Sequence, residues 1–133
     1  MTEPMTPTFE VGQRWRYRTR PGETDSTLQI VRIRVLPTGR RIFSIGVDRI
    51  RLQNSSDRGF QDCLPHAPVD EPSLRSSVSA LVESNLDEPA TFAPAHDLWA
   101  EAFDHGQAGV FNIPVADVLQ VIEDAWRHGQ SLG

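Results

Sequence analysis

Residues 14–22 of the 133-residue chain read RWRYRTRPG, and this stretch decides the predicted fold. Its arginines alternate with Trp15, Tyr17 and Thr19. Because neighbouring side chains of a β-strand point to opposite faces, this period of two predicts aromatic groups on one face and guanidinium groups on the other. Pro21-Gly22 then predicts a turn, after which the chain runs back beside the first strand.

Two further strands are predicted beyond this turn. Residues 27–36 alternate in the same manner, and Pro37-Thr38-Gly39 predicts a hairpin connection to the next run. Residues 41–52 make up that run, whose apolar side chains change phase near Gly46 and Asp48. The change of phase predicts either a β-bulge or two strands separated by a tight bend.

The second half of the chain changes to a helical period. Asp70 or Glu71 is the predicted cap of a first helix, with Pro72 in its first turn. A second helix is predicted over residues 94–104, and Pro114 opens a third. The apolar stripes predicted for the three helices consist, in order, of Leu74, Val78, Leu81 and Val82, of Leu98, Trp99, Ala102 and Phe103, and of Val115, Val118, Leu119, Ile122 and Trp126.

This order of elements predicts the α+β class, with an N-terminal antiparallel sheet of three to four strands followed by about three helices packed on one face. A β-barrel with appended helices is the alternative. Residues 1–8 and 130–133 are predicted to be flexible tails. Residues 9–129 are predicted to be a single domain, which agrees with the usual domain size of ~100–150 residues.

Composition excludes several classes of protein. The longest apolar runs are a few residues long, against the ~20 that span a bilayer, so no membrane segment is expected. The polar N-terminus has no apolar signal core, and we therefore expect a cytoplasmic protein. The single cysteine, Cys63, excludes an internal disulfide framework and a thiolate-rich zinc cluster.

Charge is distributed unevenly along the chain. Residues 1–60 contain 11 arginines against 6 acidic residues, hence +5, and residues 61–133 contain 2 arginines against 12 acidic residues, hence −10. Together these give the net charge of −5, and all 13 positive charges are arginines. The segregation predicts either that basic strands face acidic helices within the molecule or that the arginines recognise a carboxylate or a phosphate.

If the predicted strands are adjacent, several arginines share one surface of the sheet. These residues, which we call the arginine face, are Arg14, Arg16, Arg18, Arg32 and Arg34, with Arg49 or Arg51 at the margin. A nucleic acid is one partner for this face, because arginines neutralise phosphates. Two observations weigh against it: the chain as a whole is acidic, and Trp15 and Tyr17 alternate onto the other side, away from any stacked base.

Candidate catalytic residues are few. Cys63 and His66 lie in a predicted loop over residues 62–69, and a cysteine beside a histidine is one design of nucleophile. Three residues of separation do not define that geometry, and a free cysteine more often anchors a loop as a small apolar group. No catalytic residue, cofactor or metal is therefore predicted. His96 and His105 are about 13 Å apart along the second helix, too far to share one metal ion.

One segment resembles a known group of sequences. Residues 12–23 read GQRWRYRTRPGE, and Ser26-Thr27-Leu28 follow. This segment resembles small bacterial proteins of unassigned function that share G-x-x-W-x-Y-x-T-R-P-G-E and then S-T-L. Residues 64–68 are also similar to that group, and the resemblance extends over most of the chain. It implies one compact bacterial domain.

The same resemblance singles out Arg20, Glu23 and His66 as a candidate pocket edge. Arg20 and Glu23 can pair across the Pro21-Gly22 turn, and an exposed pair of this kind is worth ~0–1 kcal/mol. Two explanations stay open at this point. Either the pair closes the turn, or the three side chains converge on one pocket.

The predicted function is a small, non-enzymatic binding protein of the bacterial cytoplasm that acts through protein–protein contacts. An immunity-type protein that blocks a toxin is one version, because an acidic surface caps a basic cleft quickly. The alternatives are a nucleic-acid-associated module that uses the arginine face, and a small hydrolase or ligand-binding enzyme that uses His66 and Cys63. Formation of a homo-oligomer through an exposed strand edge is also open.

Overall fold

The computed structural model describes residues 8–53 and 60–127, which form one α+β domain. The elements in chain order are β1 (Arg14–Tyr17), β2 (Thr27–Val35), β3 (Arg41–Gln53), β4 (Phe60–Asp70), α1 (Glu71–Ser77), β5 (Val78–Glu83), α2 (Phe92–Asp104) and α3 (Val115–Arg127). The strands form one antiparallel sheet in the order β4-β3-β2-β1-β5. The predicted class is therefore confirmed, but the sheet has five strands rather than the predicted three to four.

One face of the sheet carries the apolar core. Trp15 lies opposite Leu28, and Leu28 lies opposite Val47, so alternation places their side chains on the same face. Phe9 packs edge to face against Trp15 and Phe43, at ring-centroid distances of 5.6 and 5.5 Å. Helices α1 and α3 cover this face with the buried side chains Leu74, Val115, Val118, Leu119 and Ile122.

Helix α2 packs on the opposite face of the sheet. Ser44 lies between the core residues Phe43 and Ile45 of β3, so its side chain points to the other side. On that side the ring of His66 in β4 binds Ser44 and contacts Phe92 of α2. The prediction that all helices pack on one face is therefore wrong, because the rings of α2 pack on imidazole and guanidinium groups instead of on the aliphatic core.

Strand β4 occupies residues 62–69, where a loop is predicted. It forms one edge of the sheet and pairs with β3. An edge strand tolerates Pro65 and Pro68, because the side of its backbone that faces away from the sheet has no neighbouring strand to bind. A register shift between Ile45 and Val47 of β3 interrupts the alternation of β4, and this irregularity hides the strand in the sequence.

Strand β3 is continuous, and its change of apolar phase is produced by bulges instead of a bend between two strands. A second register shift against β4 falls between Asp48 and Leu52. Arg49 lies within it, with a φ of 57° in the left-handed region that non-glycine residues seldom adopt. The bulge explains why Ile50 follows a different phase from Val47 although both are buried.

Strand β5 begins where a continuing first helix is predicted. Helix α1 starts as expected, with Asp70 accepting a 2.9 Å hydrogen bond from the Ser73 amide, but it ends at Ser77. The Ser77 hydroxyl donates to the Ser73 carbonyl at 2.7 Å and accepts from the Val115 amide at 2.9 Å. Residues 78–83 then pair with β1. The helical spacing of their apolar side chains is therefore misleading, because hydrogen bonds to β1 replace those of a longer helix.

Gly12 allows the chain after β5 to lie directly against the start of β1. Its φ is +93°, and a Cβ at this position would lie 3.1 Å from both N and O of Leu86. The Gly12 carbonyl accepts from the Leu86 amide at 3.0 Å, and the Gly12 amide donates to Ile30 O at 2.8 Å. Only glycine combines this backbone angle with so close an approach, so the contact fixes β5 at the end of the sheet.

The last two helices lie close to their predicted positions. Helix α2 begins two residues earlier than predicted, at Phe92, and Leu98 of its predicted apolar stripe is 74% exposed. None of the helices in the described ranges is long and apolar enough to cross a membrane. The side chain of Trp126, the predicted N-terminal tail up to residue 7 and the predicted C-terminal tail over residues 130–133 lie outside what the structure describes.

Candidate functional site

The arginine face is divided into a covered end and an open end. At the covered end, Arg32 of β2 donates to both carboxylate oxygens of Glu88, at 2.9 and 3.2 Å. Its guanidinium lies 5.4 Å from the ring centroid of Phe92 and 3.2 Å from Nδ1 of His96. The hydrogen bond to Glu88 raises the pKa of Arg32 above its ordinary value. Arg32 therefore binds both α2 and the segment that leads into it.

Arg34 repeats this arrangement at the other end of α2. Its guanidinium donates to Asp104 at 2.5 Å and lies 5.1 Å from the ring centroid of Phe103. A carboxylate and an aromatic ring thus hold each of the two arginines, and both partners come from the acidic second half of the chain. At this end the segregated charges meet within the molecule.

Arg14 lies between the two ends of the arginine face. Its Nη1 donates to Thr27 Oγ1 at 3.1 Å and to Asp48 Oδ2 at 3.2 Å. Its Nε lies 3.1 Å from Glu83 Oε1, an ion pair that lacks the geometry of a hydrogen bond. Arg14 therefore links β1 to β2, β3 and β5 on the surface of the sheet.

Arg16 and Arg18 form the open end. Both are exposed, and the side chain of neither makes an ion pair or hydrogen bond with any residue that the structure describes. Arg16 lies opposite Ala80 of β5, and the Arg18 amide donates to Ser77 O at 2.9 Å, beside the start of β5. Two uncompensated guanidinium groups thus stand next to the edge of the sheet.

That edge is β5 itself, and its surface is apolar. Leu81 and Val82 are 48% and 42% exposed, and Ser79, Ala80 and Glu83 are exposed as well. Within residues 8–53 and 60–127, no strand pairs with the outer side of β5. Strand β5 carries one charged residue, Glu83 at its end, and two register shifts against β1, whereas residues 78–82 read VSALV without charge or proline. An exposed edge strand whose outer side is unpaired is a template for another strand.

An open cleft of about 720 Å³ lies beside β5 on the same face as Arg16. Four lining residues form a row across β1 to β4, with Arg16 opposite Thr27, Thr27 opposite Asp48 and Asp48 opposite Cys63, and the paired Arg14 and Glu83 lie beside this row. The remaining lining residues are Asp25, Arg49, Asp62 and Val82. Positive and negative groups alternate along the lining, so the cleft has no strong preference for either sign of charge.

Cys63 lies in this cleft, apart from His66. Burial raises the pKa of the Cys63 thiol, and the nearby carboxylates of Asp62 and Asp48 raise it further. His66 follows Cys63 by three residues along β4, about 10 Å away at the usual rise of a strand, and it binds Ser44, whereas Cys63 faces Asp48. A protonated thiol at this distance from the imidazole does not form a cysteine–histidine nucleophile.

His66 lies in a cluster of rings beneath α2. Its ring centroid is 5.5 Å from that of Phe92, 5.3 Å from that of His96 and 5.3 Å from that of Trp99. Burial, followed by the electrostatic effects of the neighbouring His96 and Arg32, lowers the pKa of His66 to about 4. Its Nε2 is 3.0 Å from the hydroxyl of Ser44, which is only 3% exposed. The hydroxyl of this serine–histidine pair is therefore buried under α2.

Arg20 and Glu23 meet, but on the other side of the molecule. Arg20 donates to both Glu23 oxygens at 2.9 and 2.8 Å, and to Glu123 of α3 at 3.2 Å. The Glu23 side chain is 2% exposed and also accepts from the Arg51 amide at 2.7 Å. The hydrogen bond to Glu23 raises the pKa of Arg20 above its ordinary value. The predicted pair is therefore buried instead of exposed, and it joins the β1–β2 turn to β3 and α3.

The candidate pocket edge of Arg20, Glu23 and His66 does not come together. Arg20 contacts α3, which packs on the apolar face of the sheet, whereas His66 contacts α2 on the opposite face. The sheet itself separates them. Of the two explanations open for Arg20 and Glu23, the geometry favours the structural one, because the pair closes the turn and holds α3.

Sequence reasoning missed the exposed edge of β5 and the ring cluster of α2. The spacing of Leu81 and Val82 matched a helix, and its only contrary signal was the run Ser76-Ser77-Val78, which favours an end to the helix over its continuation. His96 and Trp99 lie three residues apart on α2, a spacing that places both on one side of the helix. Nothing in the sequence indicated that this side would face His66.

No group of three or more histidine, cysteine or acidic side chains within the described ranges is placed to hold a metal ion. Comparison of the chain with models of known protein families, with curated proteins and with solved structures finds no match. The functional argument therefore depends on the geometry of the arginine face, the cleft and β5.

Proposed function

We propose that this protein is a non-enzymatic binding module that acts through protein–protein contact at β5. The observation that carries the proposal is an edge strand with exposed Leu81 and Val82, whose outer side pairs with no described strand. An extended segment of a partner gains main-chain hydrogen bonds along such an edge, and its side chains contact those of the strand. Protein binding is thus the chemistry that this surface offers.

The reactive side chains of the molecule support the same proposal. Cys63 has a raised pKa and lies far from His66, and the hydroxyl of Ser44 is buried under α2. A hydrolase needs a nucleophile, a base and space for a substrate at one place. The cleft offers space without that pair, and the hydroxyl of the serine–histidine pair is buried under α2.

The arginine face gives less support to the alternative of nucleic-acid binding. Arg14, Arg32 and Arg34 each hold a carboxylate of the same chain, which leaves Arg16 and Arg18 as its uncompensated members. Affinity for a phosphate backbone grows with the number of phosphates that are neutralised. Two arginines supply little of that affinity to a chain with a net charge of −5.

A toxin-blocking role is one version of the proposal, but the binding surface would then be β5 instead of an acidic surface. The acidic second half suggests an acidic binding surface, but many of these carboxylates pair with arginines of the same chain. Glu71, Glu83, Glu88, Asp104 and Glu123 do so. Contact at β5 depends on backbone and apolar groups instead.

The test compares the proteins captured from a lysate of the native host by the wild-type chain and by an edge variant. Leu81→Lys adds a charge to the edge strand, which opposes pairing with another strand. Val35→Lys is the matched control, because Val35 is 64% exposed at the end of β2, away from β5. Captured proteins are identified by mass spectrometry and their affinities are measured by calorimetry with purified components.

We expect a stoichiometric partner that the wild-type chain and Val35→Lys retain and that Leu81→Lys loses. Circular dichroism of the three proteins checks that each is folded. Retention of the same proteins by all three chains, or of none by the wild type at low salt, would contradict binding at β5.

A further inference from the structure

We propose that the segment bound at β5 is an extended stretch of a partner protein with acidic side chains at alternate positions and apolar side chains between them. The inference rests on the proposed function and adds the chemistry of the partner. It follows from the two exposed arginines that lie one strand in from the edge and from the exposed leucine on the other face of β5.

Arg16 reaches the edge of the sheet across Ala80. The two residues are paired across β1 and β5, so their side chains lie on the same face. Ala80 carries only a methyl group, which leaves the space above it to the guanidinium of Arg16. A strand added to β5 would place a residue ~10 Å from Arg16 Cα, because neighbouring strands lie ~4.8 Å apart. Extended arginine and glutamate side chains together span that distance and form an ion pair above Ala80.

Arg18 provides a second cation just beyond the end of β1. Its amide donates to Ser77 O at 2.9 Å, at the end of α1, and a register shift between Arg16 and Tyr17 interrupts the pairing of β1 with β5. The two guanidinium groups therefore favour carboxylates on their face of an added strand, one above Ala80 and one near the start of β5. Both carboxylates would replace water around arginines that have no partner among the described residues.

Leu81 determines what the added strand carries on its other face. It is paired with Trp15, whose side chain belongs to the apolar core, and it is 48% exposed at the end of that core. An apolar side chain opposite Leu81, next to the acidic one above Ala80, would cover Leu81 and extend the core outward. Such contact is favourable in proportion to the apolar area that it removes from water.

A second copy of this chain fits the edge less well. Its β5 offers one carboxylate, Glu83, and that carboxylate already lies 3.1 Å from Arg14 of its own chain. An acidic segment of a different protein supplies the carboxylates that β5 lacks, and it needs only a short stretch to do so.

The test uses three synthetic peptides that alternate valine with glutamate, glutamine or lysine and are otherwise identical. Their affinities for the full-length chain are measured by fluorescence anisotropy in low and in high salt. We expect the glutamate peptide to bind at least about fivefold more tightly than the lysine peptide, as attraction at two arginines is exchanged for repulsion. Added salt will reduce this ratio, because the ion pairs are exposed.

Two charge reversals separate the effect of position from that of net charge. Arg16→Glu will remove the difference in affinity between the glutamate and lysine peptides, because the introduced carboxylate offsets the charge of Arg18. Arg40→Glu changes the net charge equally but lies at the β2–β3 turn, and it will leave the order as in the wild type. Both arginines are exposed, so neither substitution disturbs the core.

Each other outcome overturns the inference in a recognisable way. Equal binding of all three peptides, abolished by Leu81→Lys, would remove the acidic preference and leave the proposed function standing. Binding of none of them would remove the extended acidic segment as the occupant, whereas the proposed function itself depends on the lysate comparison above. A dimer in sedimentation that Leu81→Lys abolishes would identify a second copy as the occupant.

Discussion

The arginine face carries one residue type on one surface, yet its two ends differ. The arginines of the covered end have carboxylate and ring partners, whereas those of the open end have no described carboxylate partner. Arg32 and Arg34 lie under α2, and each holds a carboxylate and packs on a ring. Arg16 and Arg18 lie beside β5 and hold no described carboxylate. Within the arginine face, the acidic second half therefore supplies carboxylate partners to Arg14, Arg32 and Arg34, and no described carboxylate pairs with Arg16 or Arg18. The other end keeps its charge next to an apolar edge.

This difference shows which part of the charge segregation is structural. The partners of Arg32 and Arg34 lie 56 and 70 residues further along the chain, and they close the fold. The arginines at the open end make no such contact. We interpret the first pair as part of the stability of α2 and the second pair as part of the binding surface. The following predictions test that distinction, beginning with the largest expected effect.

Phe92→Ala removes the buried ring with which α2 packs on Arg32. Phe92 is 0% exposed, and truncation of a buried phenylalanine costs about 3–4 kcal/mol of unfolding free energy. Leu98→Ala on the same helix is the control, because Leu98 is 74% exposed and its truncation should cost less than about 0.5 kcal/mol. Urea unfolding followed by tryptophan fluorescence measures both. Similar costs for the two variants would show that α2 does not depend on its contact with the sheet.

Glu23→Gln tests the most enclosed of the ion pairs. The side chains of Arg20 and Glu23 are 13% and 2% exposed, so the variant leaves a buried guanidinium without its main partner. We expect a loss of about 3 kcal/mol in urea unfolding, since removal of one member of a buried pair costs that much. Glu83→Gln breaks the half-exposed pair with Arg14 and should cost less than about 1 kcal/mol. A cost for Glu23→Gln no larger than that of Glu83→Gln would contradict the structural role of the pair.

Acid should weaken the covered end through His66. Its pKa is about 4 in the folded chain against 6.5 for the ordinary group, so between these values the unfolded chain binds the proton first. The free energy of unfolding therefore falls as the pH falls from about 6.5 to about 4, by about 2 kcal/mol for a partly exposed group.

His66→Gln should lack this part of the pH dependence. The measurement is the difference in unfolding free energy between the wild type and the variant at several pH values. His105→Gln is the control, because His105 is exposed at the end of α2 and its removal should leave the slope as in the wild type. An unchanged slope in His66→Gln would show that His66 takes up its proton as readily in the folded chain as in the unfolded one.

The smallest predicted effect is the direct contrast between the two ends. Arg32→Gln loses the Glu88 ion pair and the contact with the Phe92 ring and should cost about 1 kcal/mol. Arg16→Gln loses no described contact and should change stability by less than about 0.5 kcal/mol. Thermal unfolding of both variants under the same conditions measures the difference. Equal losses would place Arg16 among the structural arginines.

Much of the sheet could be predicted from the sequence, because local alternation determines it. Trp15 and Tyr17 are buried as their period of two indicated, and the Pro21-Gly22 turn returns the chain as β2. Strand β4 was not predicted because Pro65 and a bulge disrupt the two-residue alternation of its side chains. Strand β5 escaped it because four apolar residues happened to match a helix, and only the free side of β1 makes that segment a strand.

The candidate site was less predictable than the sheet. The sequence indicated that the arginines share a face, but not which of them would be covered. That outcome depends on where α2 packs, and α2 lies on the unexpected face because His66 and Phe92 meet there. Partners separated by 50 residues or more leave no local pattern, so the open end could be recognised only from coordinates.

The central claim is that the open end of the arginine face and β5 together bind an extended acidic segment. Titration of the isotope-labelled chain with the valine–glutamate peptide, followed by amide NMR spectra, tests it most directly. We expect saturable shifts for residues 14–18 and 78–83, with little change around Arg32 and α2. Shifts centred on α2, or saturable shifts in the cleft without any in β5, would contradict it.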